Sequence, residues 1–389
     1  MKKILILSAH PPLKHSKEAG QKVFYDFLEN ISRNNNVYLI SFVRKEEYNW
    51  GFDDSFKLCE QIETVEFNTI QKAATVLMNA KESPIFNARN SKEFKYKLKR
   101  MLENHTFDAV HFEWEQMIQY YDYVKNIPLK TVTCHDVISQ MYTRKTENSS
   151  FLRRVYKYYS NKIIQNESHI LSKMNNVFTL NSKDSNLLKI INKDIITNEI
   201  TPYYNKCKPS PSNLEKKYDL VFFGALNRME NEKGILWFLD KVYPKIIEKK
   251  PGVSLQIIGN KPSKRLINYS KEQNITVTGF VEDPYELILK TKIGIVPLFL
   301  GAGIKIKTLE FMSCGIPVVT TEVGIEGIPA SKDEGVFVEN HVDDFVRTIL
   351  YLLDNEAEAK ELGLKAREFV GKEFDYENNT EKLDEIYSN

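Results

Sequence analysis

The segment GAGIKIKTLEFMSCGIPVV, residues 301–319, sets two glycines, two lysines and a glutamate ahead of an apolar run. Ile306, Leu309 and Met312 recur at helical spacing, and Gly315 and Pro317 close the pattern as a helix C-terminus does. Lys305 and Lys307 therefore fall in the first turn, where the helix already carries partial positive charge and a cation costs about 0.3–1 kcal/mol. Three chemistries account for that charge. Lys307 can pair with Glu310 on a solvated face, worth about 0.2–0.5 kcal/mol. The segment can instead hold an anion: Gly303 lets a ligand approach, the N–H groups of Ile304 and Lys305 point at it, and lysine charge suits a phosphate. A nucleic-acid contact is the third, but no basic groove with interleaved aromatics surrounds the helix. Glu310 favours the anion site. It shares a helical face with Gly303 and Lys307, poorly placed for phosphate and well placed for ribose hydroxyls. Phosphate at the tip and a diol acceptor behind it describe a nucleotide.

A second cluster is FFGALNRMENEKG, residues 222–234. A strand ends at Gly224, a polar loop carries Arg228 and Lys233, and Gly234 opens an apolar helix. Two cations at a strand's carboxyl end can grip a diphosphate, the arginine with a fork and the lysine as a point charge. Glu230 and Glu232 beside them also fit a plain solvated loop.

These residues need a scaffold. The 389 residues suggest two or three domains, and 42% hydrophobic with 27% charged residues is the composition of a soluble globular protein. A net charge of +2 gives no overall field that demands nucleic acid. Cys59, Cys134, Cys207 and Cys314 show no CxxC spacing, which points away from disulfides and zinc and toward a reducing cytosol. The opening MKKILILSAHPP resembles a signal peptide, but its apolar run at 4–9 is short and ends in Pro-Pro, so it reads as a first buried strand. No run reaches the ~18 apolar residues of a membrane span. Short apolar strands at 109–113, 130–136 and 176–182 follow, alternating with helical patterns. After a Pro-rich linker at 201–218 the alternation restarts with DLVFFGAL, SLQIIG, ITVTGF, IGIVPLF and PVVTTEVG. Helices are expected at 343–353 and 356–373. This is the signature of parallel, doubly wound α/β sheets.

The succession FFGALNRMENEKGILWFL, IIGNKPS, ITVTGFVEDPYELI and IGIVPLFLGAGIKIKTLEFMSCGIPVVTTEVGIEGI resembles the donor domain of GT-B glycosyltransferases of family 4. The likeness covers residues 220 to about 387 and, more loosely, the first half. It implies an α/β GT-B fold of two doubly wound Rossmann-like domains facing a central cleft. An acceptor domain would span 1–204, with a C-terminal helix at 374–389 packing back on it, and a donor domain 213–373. It implies a retaining transferase that uses a nucleotide sugar, UDP- or GDP-linked, and no catalytic metal. That agrees with the absence of any Asp-x-Asp.

By the same resemblance, Arg228 and Lys233 match the basic pair on the donor diphosphate, and Gly279 and Phe280 the loop lining the nucleobase. Glu310 matches the second glutamate of the E-x7-E motif, which holds the ribose, and Gly303 the glycine after the first. That first glutamate is replaced by Ala302, and Lys305 stands where a glycine is usual, so reading of the donor sugar departs from the family pattern. Lys17, Ala19 and Gly20 match the loop facing the diphosphate from the first half, and His135 the histidine at the sugar level. Glu167 and Ser182 read as structural supports. Basic, aromatic stretches at 92–100 and 144–173, with Arg153, Arg154 and Lys157, predict contact with an anionic membrane at the inner face of the cell, with a glycan or lipid-linked acceptor of a polysaccharide or glycolipid pathway. Two other readings remain open: a nucleotide-sugar epimerase of the same fold, and a nucleotide-sugar-binding protein without turnover.

Overall fold

A computed structural model describes the chain apart from residues 17, 50–51, 68–88, 148–152, 204–214, 272–273, 302, 376 and 389. The chain forms two compact units, Met1–Tyr203 with Tyr376–Asn389, and Tyr204–Asp375. Most of the expected linker, with Lys17, Phe151, Cys207 and Ala302, lies outside the described residues.

Unit one is a seven-stranded, wholly parallel sheet of order β3-β2-β1-β4-β5-β6-β7. The strands are β1 (Lys3–Ser8), β2 (Asn36–Val43), β3 (Gln61–Glu66), β4 (Ala109–Glu113), β5 (Leu129–Cys134), β6 (Asn176–Thr179) and β7 (Thr197–Glu199). Ile4, Leu5, Ile6 and Leu7 of β1 are all fully buried. An unbroken apolar run is what a strand covered on both faces requires. Helix α1 (Ala19–Ile31) buries Phe24, Phe27, Leu28 and Ile31, the i, i+3, i+4, i+7 stripe of a helix laid on a sheet. Helix α2 (Lys92–Asn104) is capped by Ser91, which accepts from the N–H of Phe94.

Unit two repeats the plan with six parallel strands in the order β10-β9-β8-β11-β12-β13. They are β8 (Tyr218–Phe223), β9 (Leu255–Ile258), β10 (Ile275–Gly279), β11 (Thr291–Val296), β12 (Val318–Thr320) and β13 (Val336–Val338). Strand order reverses between β1 and β4 in one unit and between β8 and β11 in the other, and ligands of such sheets bind outside the carboxyl ends there.

Helix α3 (Met229–Trp237) follows β8, and helix α4 (Ile306–Ser313) follows β11. α3 begins five residues earlier than its apolar pattern suggests. Lys233 therefore lies within the helix and not in a loop beside Arg228, which is the N-cap residue. Glu230 and Glu232 in its first turn explain the early start, because carboxylates there complement the helix dipole. The helical run continues to Lys249 through a π-turn at Phe238–Val242, directly ahead of Pro244, which has no N–H to donate.

The chain returns to unit one as α5 (Glu377–Ser388). Leu383 and Tyr387 of α5 join Ile4, Ile6, Phe24 and Phe27 in one apolar cluster. Asn30 Nδ2 donates to Thr380 Oγ1 at 2.8 Å, and Asn379 Nδ2 to the Thr201 carbonyl at 2.6 Å.

Candidate functional site

In unit two the site is built at the carboxyl ends of β8, β9 and β10. Gly224 follows β8 with φ +157°, and its N–H donates to the Ile258 carbonyl at 3.0 Å. Gly259, after β9, lies so close that a Cβ there would strike the Gly224 carbonyl oxygen. Two backbones meet with no side chain between them. The space over Gly224 belongs to Lys307 of α4: a Cβ on Gly224 would stand 2.7 Å from Lys307 Nζ and 3.0 Å from Asn231 Nδ2. Lys307 Nζ donates to Asn231 Oδ1 at 2.5 Å and lies 4.9 Å from the centre of the Phe222 ring. Asn231 is fixed in turn by its own bond to the Ala225 carbonyl at 2.8 Å.

Enclosure of that amine pushes the Lys307 pKa down to about 7; Glu310 and Glu230 oppose the shift, while Lys305 and Arg228 add to it. Buried Glu310 accepts from Tyr285 OH at 3.2 Å. Lys307 does not make the surface pair with Glu310 at bonding distance; its hydrogen bond goes to Asn231. Arg228 and Lys233 are exposed. Gly279 turns at φ +71° with open space where a side chain would project, and the neighbouring Phe280 is 57% exposed.

The other lysine departs from expectation. Lys305 is buried at the N-cap of α4, and its amine bonds to the Gly303 carbonyl and lies 3.5 Å from Glu326 Oε2. Its backbone N–H, expected to face a ligand with that of Ile304, donates instead to the Glu326 carbonyl at 3.3 Å. The chain reverses at Gly303 (φ +69°), and the segment after β12 lies close enough to take that N–H.

In unit one, Gly20 near the start of α1 and His135 just beyond β5 come together. A Cβ on Gly20 would be 3.5 Å from His135 Nδ1 and 3.2 Å from Trp114 Cζ2. Trp114 stacks on the imidazole, centroids 4.3 Å apart and planes 13° apart, with its backbone at φ +70°. That is a strained setting for a non-glycine residue, costing on the order of 1–3 kcal/mol.

Behind the pair lies a polar chain that was not singled out in the sequence. Glu113 Oε1 is 2.5 Å from His135 Nε2, and Glu113 Oε2 is 2.7 Å from His111 Nε2. Burial alone would raise the Glu113 pKa; attraction to the protonated form of His135 and hydrogen bonds from both histidines overcome it and hold the carboxyl down to about 2. The signal was the alternation His111-x-Glu113, which puts both side chains on one face of a strand.

Arg89 was also missed. It is 6% exposed, its guanidinium 3.6 Å from the Phe67 ring centre and 3.0 Å from His10 Nε2. Glu167 is buried and accepts from the N–H of Ser139 at 3.0 Å; burial raises its pKa to about 7. Its neighbour Glu115 is raised well above the carboxylate range by burial and then by Glu167.

The basic stretches divide. On α2, Lys97 pairs with Glu93 at 2.9 Å and Arg100 with Glu63 at 2.7 Å, so part of that charge is spent within the unit. Arg153, Arg154 and Lys157 are exposed, as is Tyr158. No helix among the described residues is long and apolar enough to cross a membrane. Among them, too, no group of three or more His, Cys, Asp or Glu side chains could hold a metal ion.

Several solved structures share this fold. Sucrose-phosphate synthase from Thermosynechococcus elongatus superposes with a TM-score of 0.74 at 16% identity, covering 100% of this chain and 98% of that one. Anabaena Alr3699/HepE, solved in complex with UDP and glucose, gives 0.68 at 12% identity over the whole of both chains. The two parallel sheets thus define the GT-B class of fold. Within it, residues 217–355 match the model of the glycosyl transferases group 1 family, so unit two carries a group 1 glycosyltransferase domain. The Staphylococcus aureus poly(ribitol-phosphate) alpha-N-acetylglucosaminyltransferase is 24% identical over 262 residues, 65% of this chain and 50% of that protein. An uncharacterized 44.6 kDa protein of the Klebsiella pneumoniae cps region is 28% identical over 172 residues, 41% of this chain and 44% of that protein. The chain therefore spans half or less of the length of these curated relatives.

The buried carboxyls give unit one a pH signature. Glu113, lowered from 4.5 to about 2, stabilises the folded state above pH 4.5, and that contribution is lost as pH falls toward 2. Glu167, raised from 4.5 to about 7, acts in the other window: its contribution is complete below pH 4.5 and is lost as pH rises through 7. Urea unfolding of Glu167→Gln should show a shallower loss of stability between pH 4.5 and 7 than wild type. An unchanged slope in that window would mean that Glu167 titrates normally.

Proposed function

We propose that this protein is a retaining, metal-independent glycosyltransferase of family 4. It would move a sugar from a nucleoside-diphosphate sugar to a glycan or lipid-linked acceptor of a cell-surface polysaccharide or glycolipid pathway. The observation that carries the reading is the amine of Lys307 set over Gly224 at the carboxyl end of β8, with the Arg228 N-cap beginning the next helix. A diphosphate there meets bare backbone and a cation with little water between them. Arg228 and Lys233 add charge from the exposed side. Glu310, oriented by Tyr285, offers a carboxylate to the ribose diol. Gly279 and Phe280 offer open space and an aromatic face to a base.

In this reading the cations act where charge develops, on the leaving diphosphate, which is electrostatic catalysis. The acceptor hydroxyl attacks the anomeric carbon from the face the leaving group departs. The C–O bond to phosphate breaks, and the departing phosphate oxygen takes the acceptor's proton. No protein nucleophile is required. The UDP and glucose bound by the Anabaena neighbour favour a UDP-sugar over a GDP-sugar. The name of the Staphylococcus aureus relative supports a polymeric cell-surface acceptor.

Incubation with a panel of UDP- and GDP-sugars and cell-envelope extracts, with and without excess chelator, tests this directly. Label should pass from one donor class into an acceptor at a rate chelator does not change. Binding of every donor without transfer or donor hydrolysis would leave a sensor, not an enzyme.

Lys307 gives a sharper prediction. With a pKa near 7 it is mostly neutral at pH 8, and a bound diphosphate stabilises its charged form. UDP binding at pH 8 should therefore take up a proton, seen by calorimetry in buffers of different ionisation enthalpy, and the uptake should vanish at pH 6. Lys307→Met should abolish it; uptake surviving in that variant would remove Lys307 from the diphosphate site.

The exposed Arg153, Arg154 and Lys157 support peripheral contact with an anionic bilayer on the cytoplasmic face. Each adds about 1 kcal/mol near such a surface, screened as the Debye length shrinks to ~3 Å at 1 M salt. Flotation should carry the protein with anionic vesicles at low salt and release it at high salt. Equal flotation with neutral vesicles would argue against the contact.

A further inference from the structure

We propose that Glu113 is a positioning residue, fixing the imidazole of His135 so that Nδ1 faces Gly20 as the acceptor for a hydroxyl group of a sugar substrate. The inference rests on the reading of His135 as a substrate contact.

The two histidines on Glu113 provide an internal comparison. Glu113 is the last residue of β4, buried, with one oxygen against each of two imidazoles, and as a carboxylate it can only accept hydrogen bonds. His111 and His135 both approach it through Nε2, at 2.7 and 2.5 Å, so both must carry their proton there. A neutral imidazole has one N–H, and each Nδ1 is then an acceptor.

His111 uses that acceptor internally. Its Nδ1 lies 2.8 Å from Thr131 Oγ1, which is 2.8 Å from Tyr387 OH on α5. The hydroxyls run in one direction, Tyr387 to Thr131 to His111 to Glu113, and every member is buried. His135 ends the chain differently. Among the described residues its Nδ1 makes no hydrogen bond, and it is turned toward Gly20, whose missing side chain leaves room beside it.

His111, wholly buried, engages both ring nitrogens, and His135 engages one. In His135 the tautomer is set by Glu113, and the ring plane by Trp114 stacked at 4.3 Å from a strained backbone. Two consecutive residues thus fix both the rotation and the proton position of one imidazole. That is preorganisation of an acceptor, and the ligand it suits is an O–H donor on a rigid framework, as a sugar ring presents.

The test reads the proton directly. ¹⁵N NMR of histidine-labelled protein, with His135→Gln for assignment, should find His135 of the wild-type protein protonated on Nε2 alone at neutral pH. The Nδ1–H tautomer in wild type would overturn the proposal without any variant of Glu113. In Glu113→Gln, whose amide can donate as well as accept, the tautomers should mix, and kcat for transfer should fall by up to about 100-fold, the scale on which misplacing a substrate-positioning group costs rate, with KM for the nucleotide sugar little changed. A tautomer unaffected by Glu113→Gln overturns the positioning role even if His135→Gln abolishes transfer. Mixed tautomers with full transfer rates in both variants would overturn the hydroxyl-acceptor role, leaving the diphosphate site of unit two as a separate question.

Discussion

Every strand pair in both units is parallel, and the rest of the molecule follows from that constraint. Parallel neighbours cannot be joined by a tight turn, so each strand is followed by a crossover and all carboxyl ends gather on one edge. Residues far apart in the chain are thereby delivered to the same place. Gly224, Asn231 and Lys307 meet because β8 and β11 are adjacent, although the strands are 68 positions apart in the chain, from Phe223 to Thr291. In unit one the same rule brings Glu113 of β4 beside His135, the residue after β5.

The units handle buried charge in opposite ways. Unit one keeps a carboxylate ionised by setting two imidazole N–H groups against it, and lets burial raise the pKa of Glu115 and Glu167, whose hydrogen-bond donors do not offset it. Unit two buries an amine against an amide oxygen and an aromatic face, with no carboxylate at bonding distance among the described residues, and its proton affinity falls accordingly. A group held away from its ordinary ionisation in the free protein is a group whose state a charged ligand can change.

Much of this was readable from residue patterns where the pattern was strong. The buried strands of both sheets, the crossover helices and the glycine-lysine-glutamate segment stand out because apolar runs and turn residues mark them. The edge strands did not. Gln61–Glu66 and Thr197–Glu199 are mostly half-buried and carry polar residues on both faces, so no alternation distinguishes them from loop. The start of α3 is hidden in the sequence because apolar spacing begins at Gly234, whereas the helix begins with acidic residues before it. In sequence Lys305 looks like a ligand-facing cation, yet its partner Glu326 lies twenty-one residues on, a pairing visible only once β12 and the following segment are folded. Asn231, Trp114 and Tyr387 have no local signal at all; their roles arise from tertiary approach.

The return of α5 to unit one bears on how the protein comes into being. Unit two is continuous in the chain, while unit one is assembled from its first 203 residues and a last short segment. On the ribosome, domains fold as units as they emerge, at roughly 5–20 residues per second. Unit two can close on itself while the first sheet still lacks Leu383 and Tyr387, leaving the apolar surface around Ile4, Phe24 and Phe27 uncovered in the nascent chain. The earlier-made unit would then be the later one to mature. A premature stop near residue 376 would spare unit two and release a chain with a sticky, incomplete partner, a natural substrate for chaperones.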